Sequence, residues 1–397
     1  MGRKNIAFRV GRGLLAATAI ATLAGIPAGA ADDYVINVVL PLSGGASFLG
    51  KAEQQSLQLV EKSTNDTGGI QGRPLKFVFQ DDQSSPQTAV QLASQVAAGK
   101  PTVMIGSSIV AMCNAMAPLM TNGPVQYCMS PGIHPPAGSY TFTSSVSTHD
   151  LGRALINYYR GKGWTKIAII TSTDASGQDA DKGFDEILAE PRNKEMQVVS
   201  RQHFNPTDVS VSAQIESIKA ANPQAMIAWS TGAPIATIFK SIIQSGLELP
   251  VGTTDGNMTF AQMTQYAAFL PKQLFIPAAE WVTYATASAK DPGIAKAQAR
   301  FAEVFKAAGQ TPDVASALSW DPAITVIDAL RKLGPSATAA QLREYLSKLS
   351  GYAGIDGVYD FTKEAQRGLT VENAVVTLWE PDKKTWTPVS QPAGAPL

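Results

Sequence analysis

Tyr34-Val35-Ile36-Asn37-Val38-Val39-Leu40, followed by an amphipathic stretch over 51–65 and then Leu75-Lys76-Phe77-Val78-Phe79, sets the rhythm of the whole chain. A short run rich in β-branched residues, one helical period and a second short run make a βαβ unit, whose strands pair in parallel with helices on the faces. Working outward, a helical stretch over 88–98, the strand-like Val103-Met104-Ile105, a helical stretch over 115–121 and a strand over 125–129 continue the same alternation. A second series begins near His149, with a helix over 150–160 and strands over 166–171, 197–202, 225–229 and 251–253. Later come a strand over 273–277, helices over 295–308, 315–333 and 339–347, and strands over 357–361 and 374–379. The class is α/β, with two doubly wound parallel-sheet lobes. In such sheets ligands bind outside the carboxyl ends of the strands.

The amino terminus reads as a leader. Arg3, Lys4, Arg9 and Arg12 precede an apolar stretch over 14–25 and the small-residue run Ala28-Gly29-Ala30-Ala31, so residues 1–31 are expected to be a signal peptide with an A-x-A cleavage site. Its apolar part is shorter than the roughly 20 residues of a spanning helix. The expectation is an exported, soluble protein. Cys113 and Cys128 both lie far from the cleavage site, so no thiol is placed there to accept a lipid. Removing the four leader cations leaves 28 basic against 32 acidic residues, a mildly acidic chain without the basic footprint of a nucleic-acid binder. The 45% apolar and 16% charged fractions are those of a packed protein, and 397 residues exceed one ordinary core, so two domains are expected.

Several motifs carry a resemblance. Pro41-Leu42-Ser43-Gly44, Gly50, the run Asn65-Asp66-Thr67-Gly68-Gly69-Ile70-Gln71-Gly72-Arg73-Pro74-Leu75 and Asp81-Asp82 resemble the leucine/isoleucine/valine-binding protein family. The likeness continues through Ile105-Gly106-Ser107-Ser108, Met129-Ser130-Pro131, Gly177-Gln178, Gly246-Leu247 and Gly357-Val358-Tyr359-Asp360-Phe361. It implies a type I periplasmic-binding-protein fold, two lobes joined by three crossover segments that close on a ligand in the cleft. By that likeness the crossovers fall near 147–150, 277–281 and 352–356. Lobe one is then 32–148 plus 280–353, and lobe two 149–279 plus 354–397. The implied function is that of a periplasmic, monomeric, non-enzymatic solute-binding component of an ABC uptake transporter. It would present an amino acid, branched-chain or similar, to an inner-membrane permease, with no cofactor.

The candidate ligand residues follow the strand ends. Ser107 and Ser108, after the strand over 103–105 and before a helical stretch, suit a carboxylate, because a helix start offers free N–H groups; a serine N-cap alone is the alternative. Past Ser130-Pro131, where the family binds the ligand's carboxylate and ammonium, Gly132 would offer backbone and His134 stands where the family has a hydroxyl. His134 is otherwise a plain loop histidine. Asp255 falls where the family sets an acidic residue against the ligand's ammonium, worth about 1.5–3 kcal/mol; an Asx-turn before Gly256 is the rival reading. Ser176 replaces a covering aromatic of the branched-chain binders, and Trp229 to Thr231 are placed to supply that cover unless Trp229 is core. Phe48 and Leu49, in the first loop, are candidates to pack on the ligand's side chain or into their own lobe. Cys113 and Cys128 flank one turn of an exported lobe, where a disulfide is permitted and two buried thiols are the alternative.

Other chemistries find less support. Gly45-Ala46-Ser47-Phe48-Leu49-Gly50-Lys51-Ala52 comes close to a phosphate-binding loop, but Ala52 stands where a Ser or Thr must hold magnesium. There is no G-x-S-x-G elbow. His134, His149 and His203 are far apart in sequence and unpaired with cysteine, so no metal site is expected. Two alternatives to the amino acid remain: an aromatic or keto carboxylate lacking an amino group, suggested by His134 and Ser176, and a free periplasmic sensor that presents its ligand to a receptor.

Overall fold

The five-stranded sheet that opens the chain is parallel throughout, and its first strand shows why. In β1 (Tyr34–Leu40), Ile36, Val38 and Leu40 join one core while Val39 packs into another with Met104, Ala89 and Ala93. Both faces of the strand are therefore covered toward its carboxyl end, as a parallel sheet requires, while Val35 near its start is exposed. The computed structural model describes residues 1–5, 7, 32–285 and 289–397. The apolar stretch and cleavage site of the expected leader lie outside the described residues. Among the described residues no helix is long and apolar enough to cross a membrane.

The sheet is completed by β2 (Leu75–Asp81), β3 (Val103–Ile105), β4 (Val125–Cys128) and β5 (Thr141–Thr143), in the order β2-β1-β3-β4-β5. Helices α1 (Ser47–Asp66), α2 (Pro86–Ala98) and the short α3 (Val110–Met116) connect its strands. Ser85 caps α2 through the Thr88 N–H, with Pro86 at the first helical position, the residue type best suited there. Cys113 on α3 and Cys128 on β4 are disulfide-bonded, with α-carbons 6.1 Å apart.

The second series runs through α4 (Thr148–Gly161), β6 (Lys166–Ser172), α5 (Ala175–Leu188), β7 (Gln197–Phe204), α6 (Ser212–Ala220), β8 (Ala225–Trp229), α7 (Ile235–Ser245), β9 (Val251–Gly252), α8 (Phe260–Tyr266) and β10 (Leu274–Ala279). The chain then returns to the first sheet with α9 (Pro292–Ala307), α10 (Val314–Leu333) and α11 (Ala339–Ser347), α10 lying along α1. A hairpin, β11 (Ser350–Ala353) and β12 (Val358–Asp360), leads to β13 (Ala374–Glu380) and β14 (Thr385–Pro388). These last two close the second sheet, β14-β13-β10-β9-β8-β6-β7, with β13 antiparallel to both neighbours.

The hairpin and the segment after it are tied to the first sheet. Tyr359 Oη donates to the Ser144 carbonyl at 2.8 Å, Phe361 packs edge-on against Phe142, and the Thr143 N–H donates to the Gln366 carbonyl at 2.8 Å. Arg367 goes further. Its buried guanidinium donates to the carbonyls of Ser145 (2.5 Å), Pro131 (3.2 Å) and Ile133, pinning the loop after β4 from behind. Burial lowers its pKa to about 10, so the group is still charged at neutral pH.

Candidate functional site

The loops at the carboxyl ends of β3, β4, β6, β8 and β9 converge between the two sheets. They enclose a small cavity lined by Leu49, Ser108, Ile109, Val110, Ser130, Pro131, Gly132 and Leu318 on the side of the first sheet. Thr148, Ser176, Thr231, Thr254, Asp255 and Gly256 line the other side. The lobes are closed on one another. The Ala233 N–H donates to the Gly45 carbonyl at 3.0 Å and the Val314 N–H to the Met258 carbonyl at 3.2 Å, so the cavity of about 20 Å³ has room for roughly one water. A larger hollow of about 390 Å³, walled by Asn114, Pro118, Met120, Pro136 and Tyr140, touches the first lobe only, so lobe closure does not act on it.

Asp255 is the one charged side chain in the cavity wall among the described residues. It sits on a turn just after β9, and its Oδ1 accepts from Thr254 Oγ1 at 2.9 Å and from the Gly256 N–H at 2.8 Å. Burial lifts its pKa to about 6 despite those donors. Oδ2 takes no part in these bonds of the turn. Ser176, in the first turn of α5, shares a 3.0 Å hydrogen bond with Thr231, so the second-lobe wall is a patch of hydroxyls around one carboxylate.

The first-lobe wall is built differently. Ser108 Oγ donates to Glu53 Oε2 at 3.0 Å, and Glu53 is fully buried on α1 with its Oε1 unpartnered. Burial raises the pKa of Glu53 to about 8, with Asp82 and Asp313 adding repulsion, so it is mostly a neutral acid at pH 7. Ser107 is turned away from the cavity and donates to Asp82 Oδ2 at 3.0 Å. Gly132 lies where any side chain would obstruct: a Cβ there would be 2.5 Å from Val110 Cγ2 and 3.1 Å from both Asp179 Oδ2 and Thr148 Oγ1.

Of the residues singled out from sequence, the structure brings Leu49, Ser108, Ser130, Gly132, Ser176, Thr231 and Asp255 to the cavity. Four lie elsewhere. Ser107 faces Asp82; Trp229 is core, edge-on to Phe184; Phe48 packs against Tyr266; and His134 points out of the cavity to Asp179 Oδ1 at 2.7 Å. Missed from sequence were Ile109, Val110, Thr148 and Leu318, whose apolar or hydroxyl side chains carry no local signal, and the supporting pair Glu53 and Arg367. An ionisable residue in the middle of an amphipathic helix, as Glu53 is, was the one available hint. His134 and His149, 15 positions apart, have ring centroids only 4.6 Å apart.

The sequence matches, over residues 34–384, the profile of a family described as periplasmic binding protein. The chain belongs to that family. Its members bind solutes and catalyse no reaction, and the type I fold with its interlobe cavity is theirs. A search of curated proteins gives no match. Among solved structures, the chain is similar to the branched-chain amino acid transporter substrate-binding protein LivJ of Streptococcus pneumoniae in complex with isoleucine. The TM-score is 0.75 at 19% identity, covering 90% of this chain and 99% of that one. It is similar also to a leucine-binding protein LivK of Thermotoga maritima (TM-score 0.74, 19% identity, 87% and 95% covered). An ABC-transporter solute-binding protein of R. palustris in complex with benzoate gives a TM-score of 0.74 at 19% identity, with 92% and 97% covered. At these identities the likeness establishes the fold.

Proposed function

We propose that this periplasmic binding protein is the solute receptor of an ABC importer and that it closes on an amino acid. The ligand's carboxylate rests against Ser108 and the Ser130–Gly132 backbone of the first lobe, and its ammonium against Asp255 of the second. The observation that carries the reading is the charge pattern of the wall: apolar and hydroxyl groups throughout, and a lone buried carboxylate at the place where an ammonium would land. Contacts made only when both lobes touch the solute drive closure, a two-state population shift, and the closed form is what the permease reads. We take the crossovers to lie near 147–150 and 277–281, with the return after the Arg367 segment, so that each lobe is discontinuous in sequence.

A second reading, an aromatic or keto carboxylate without an amino group, is favoured by Leu49, Ile109, Val110 and Leu318 in the wall and by the benzoate complex of a protein of the same fold. Proton linkage separates the two. An ammonium needs Asp255 ionised, so with burial in the closed form lifting its pKa to about 6, the affinity for leucine falls as pH drops through that range and is flat above 7. An amino-free carboxylate prefers Asp255 protonated, so affinity for 4-methyl-2-oxopentanoate or benzoate falls as pH rises through 6. Calorimetric titration of ligand-stripped protein from pH 5 to 8 tests this. A solute panel in which only amino-free acids bind, with affinity falling as pH rises, sinks the amino-acid reading and leaves the receptor role standing.

A further inference from the structure

Beside the cavity, on the outer side of Gly132, three side chains from three elements meet: His134 on the loop after β4, His149 on α4 and Asp179 on α5. One ligand atom from each lies within 4.8 Å of the other two. We propose that they form a metal site for Zn²⁺, or a first-row divalent ion of similar preference, which bridges the lobes and clamps them shut.

The argument begins with α5. Asp179, Gly183 and Glu186 are spaced i, i+4 and i+7 and so lie on one face of that helix. Gly183 makes room for an imidazole, since a Cβ there would be 2.6 Å from His149 Cδ2. Glu186 Oε2 lies 3.1 Å from His149 Nδ1. A carboxylate at Nδ1 holds the proton on that nitrogen and leaves Nε2 with a lone pair, the arrangement that orients a histidine toward a metal. Nε2 is buried without a hydrogen-bond partner and faces Asp179 Oδ1 at 3.4 Å. A lone pair and a carboxylate oxygen aimed at each other repel, and a proton or a metal ion shared between them removes the repulsion. His134 Nε2 approaches the same oxygen at 2.7 Å from the other lobe, and Asp179 Oδ2 is also buried and unpartnered.

The donor set suits the ion. Two imidazoles and a carboxylate with one position left for water are a zinc-type set. With bonds of about 2.0–2.1 Å in a tetrahedron, ligand atoms stand roughly 3.3 Å apart, so the present spacings need adjustments of a few tenths of an ångström to little more than one. The His134 side chain is 45% exposed and opens the fourth position to solvent. Because His134 comes from the first lobe and the other two ligands from the second, the complete set exists only in the closed form, and the ion binds that form selectively. The site does not depend on which solute the cavity takes.

The test uses untagged protein, stripped with a chelator and titrated with ZnCl₂ by calorimetry, and with CoCl₂ by visible absorption. The expected result is a single zinc bound per chain, cobalt bands of four-coordinate intensity, and a radius of gyration in solution scattering that falls on adding zinc. His134→Ala, at a half-exposed position where the fold is safe, and His149→Gln should each weaken zinc at least tenfold and bleach the cobalt bands. His203→Gln, altering the exposed histidine on β7 that pairs with Asp181 instead, should leave both unchanged. Zinc bound no more tightly by the wild type than by His134→Ala, or cobalt spectra of hexaaqua type, overturns the proposal. A proton on His149 Nε2 then satisfies the pair instead.

Discussion

The two walls of the cavity solve opposite problems. The first-lobe wall faces the solute with neutral groups, and the ionisable residues that shape it stand behind: Glu53 under Ser108, Asp82 under Ser107, Arg367 under the carbonyls of Pro131 and Ile133. The second-lobe wall instead puts its own carboxylate, Asp255, at the surface. A wall held from behind keeps its shape whether or not a solute is present. A wall whose charge is buried against other protein groups is strained until a partner arrives, because burial alone has moved Asp255 up to about 6. The difference assigns shape to one lobe and electrostatic choice to the other.

The hardest blow to this contrast falls on the first wall. Arg367→Met removes the donors to three carbonyls; that of Pro131 keeps the Thr148 N–H, while those of Ser145 and Ile133 are left unsatisfied, each worth about 1–3 kcal/mol. Urea unfolding should show a loss of about 3 kcal/mol or more, together with weakened binding of every solute alike. If Arg367→Met instead changes which solute binds while stability holds, the first lobe is more than a shape and the contrast fails.

Asp255→Asn addresses the other wall and should do the reverse. Stability is kept or improved, since an ionisable group burdened by burial is replaced by an amide of the same shape. Affinity for an amino acid drops by about 1.5–3 kcal/mol, roughly 10- to 150-fold, the worth of a charge-assisted hydrogen bond. A keto acid binds as well as before or better. Thermal-shift screening of both variants against paired amino and keto acids reads all of this. Equal losses for amino and keto acids would show that Asp255 only shapes its turn.

How far the sequence led follows the same division. The parallel strands β1, β3 and β8 are found at the bounds their composition suggests; β3 and β8 are buried at every residue, and β1 is buried on one face throughout. The strands missed, β5, β11 and β14, are short and largely polar, β5 and β14 at sheet edges and β11 in a two-stranded hairpin, and they exist because a neighbour offers an unpaired ladder. Ser108 could be placed because it follows a strand end and opens a helical stretch, a rule of topology, whereas Ser130, Ser176 and Asp255 were placed by the family resemblance. Ser107 could not be told from Ser108, since one residue of chain decides which hydroxyl faces the cavity and which faces Asp82. Arg367 and the pair His134 and His149 were beyond reach of any local pattern. The partners of Arg367 are more than 200 positions away, His134 meets Asp179 on the other lobe, and His149 meets Asp179 and Glu186 on the next helix.

The pH profile of stability is a finer probe of the first wall. Glu53 is held near 8 in the folded protein against an ordinary value of 4.5, so between those values the folded state binds more protons than the unfolded one, and stability must fall as pH rises. Asp255 and Asp313, both lifted to about 6, contribute in the same direction between about 4 and 6. His149, held above its usual value by Asp179 and Glu186 against the opposing effect of burial, adds stability below about 6.5 that is lost at higher pH. The ligand-free protein should therefore melt at a higher temperature at pH 5 than at pH 8. Glu53→Gln retains an oxygen to accept from Ser108 and removes the ionisation, so it should flatten that profile between pH 5 and 8 and stabilise the protein far more at pH 8 than at pH 5. Since the Ser108 hydroxyl is held as before, solute affinity at pH 6 should be nearly unaltered. A Glu53→Gln protein with an unchanged pH profile would mean that the acid behind Ser108 is ionised and solvated in the folded state, and that the first wall is as charged as the second.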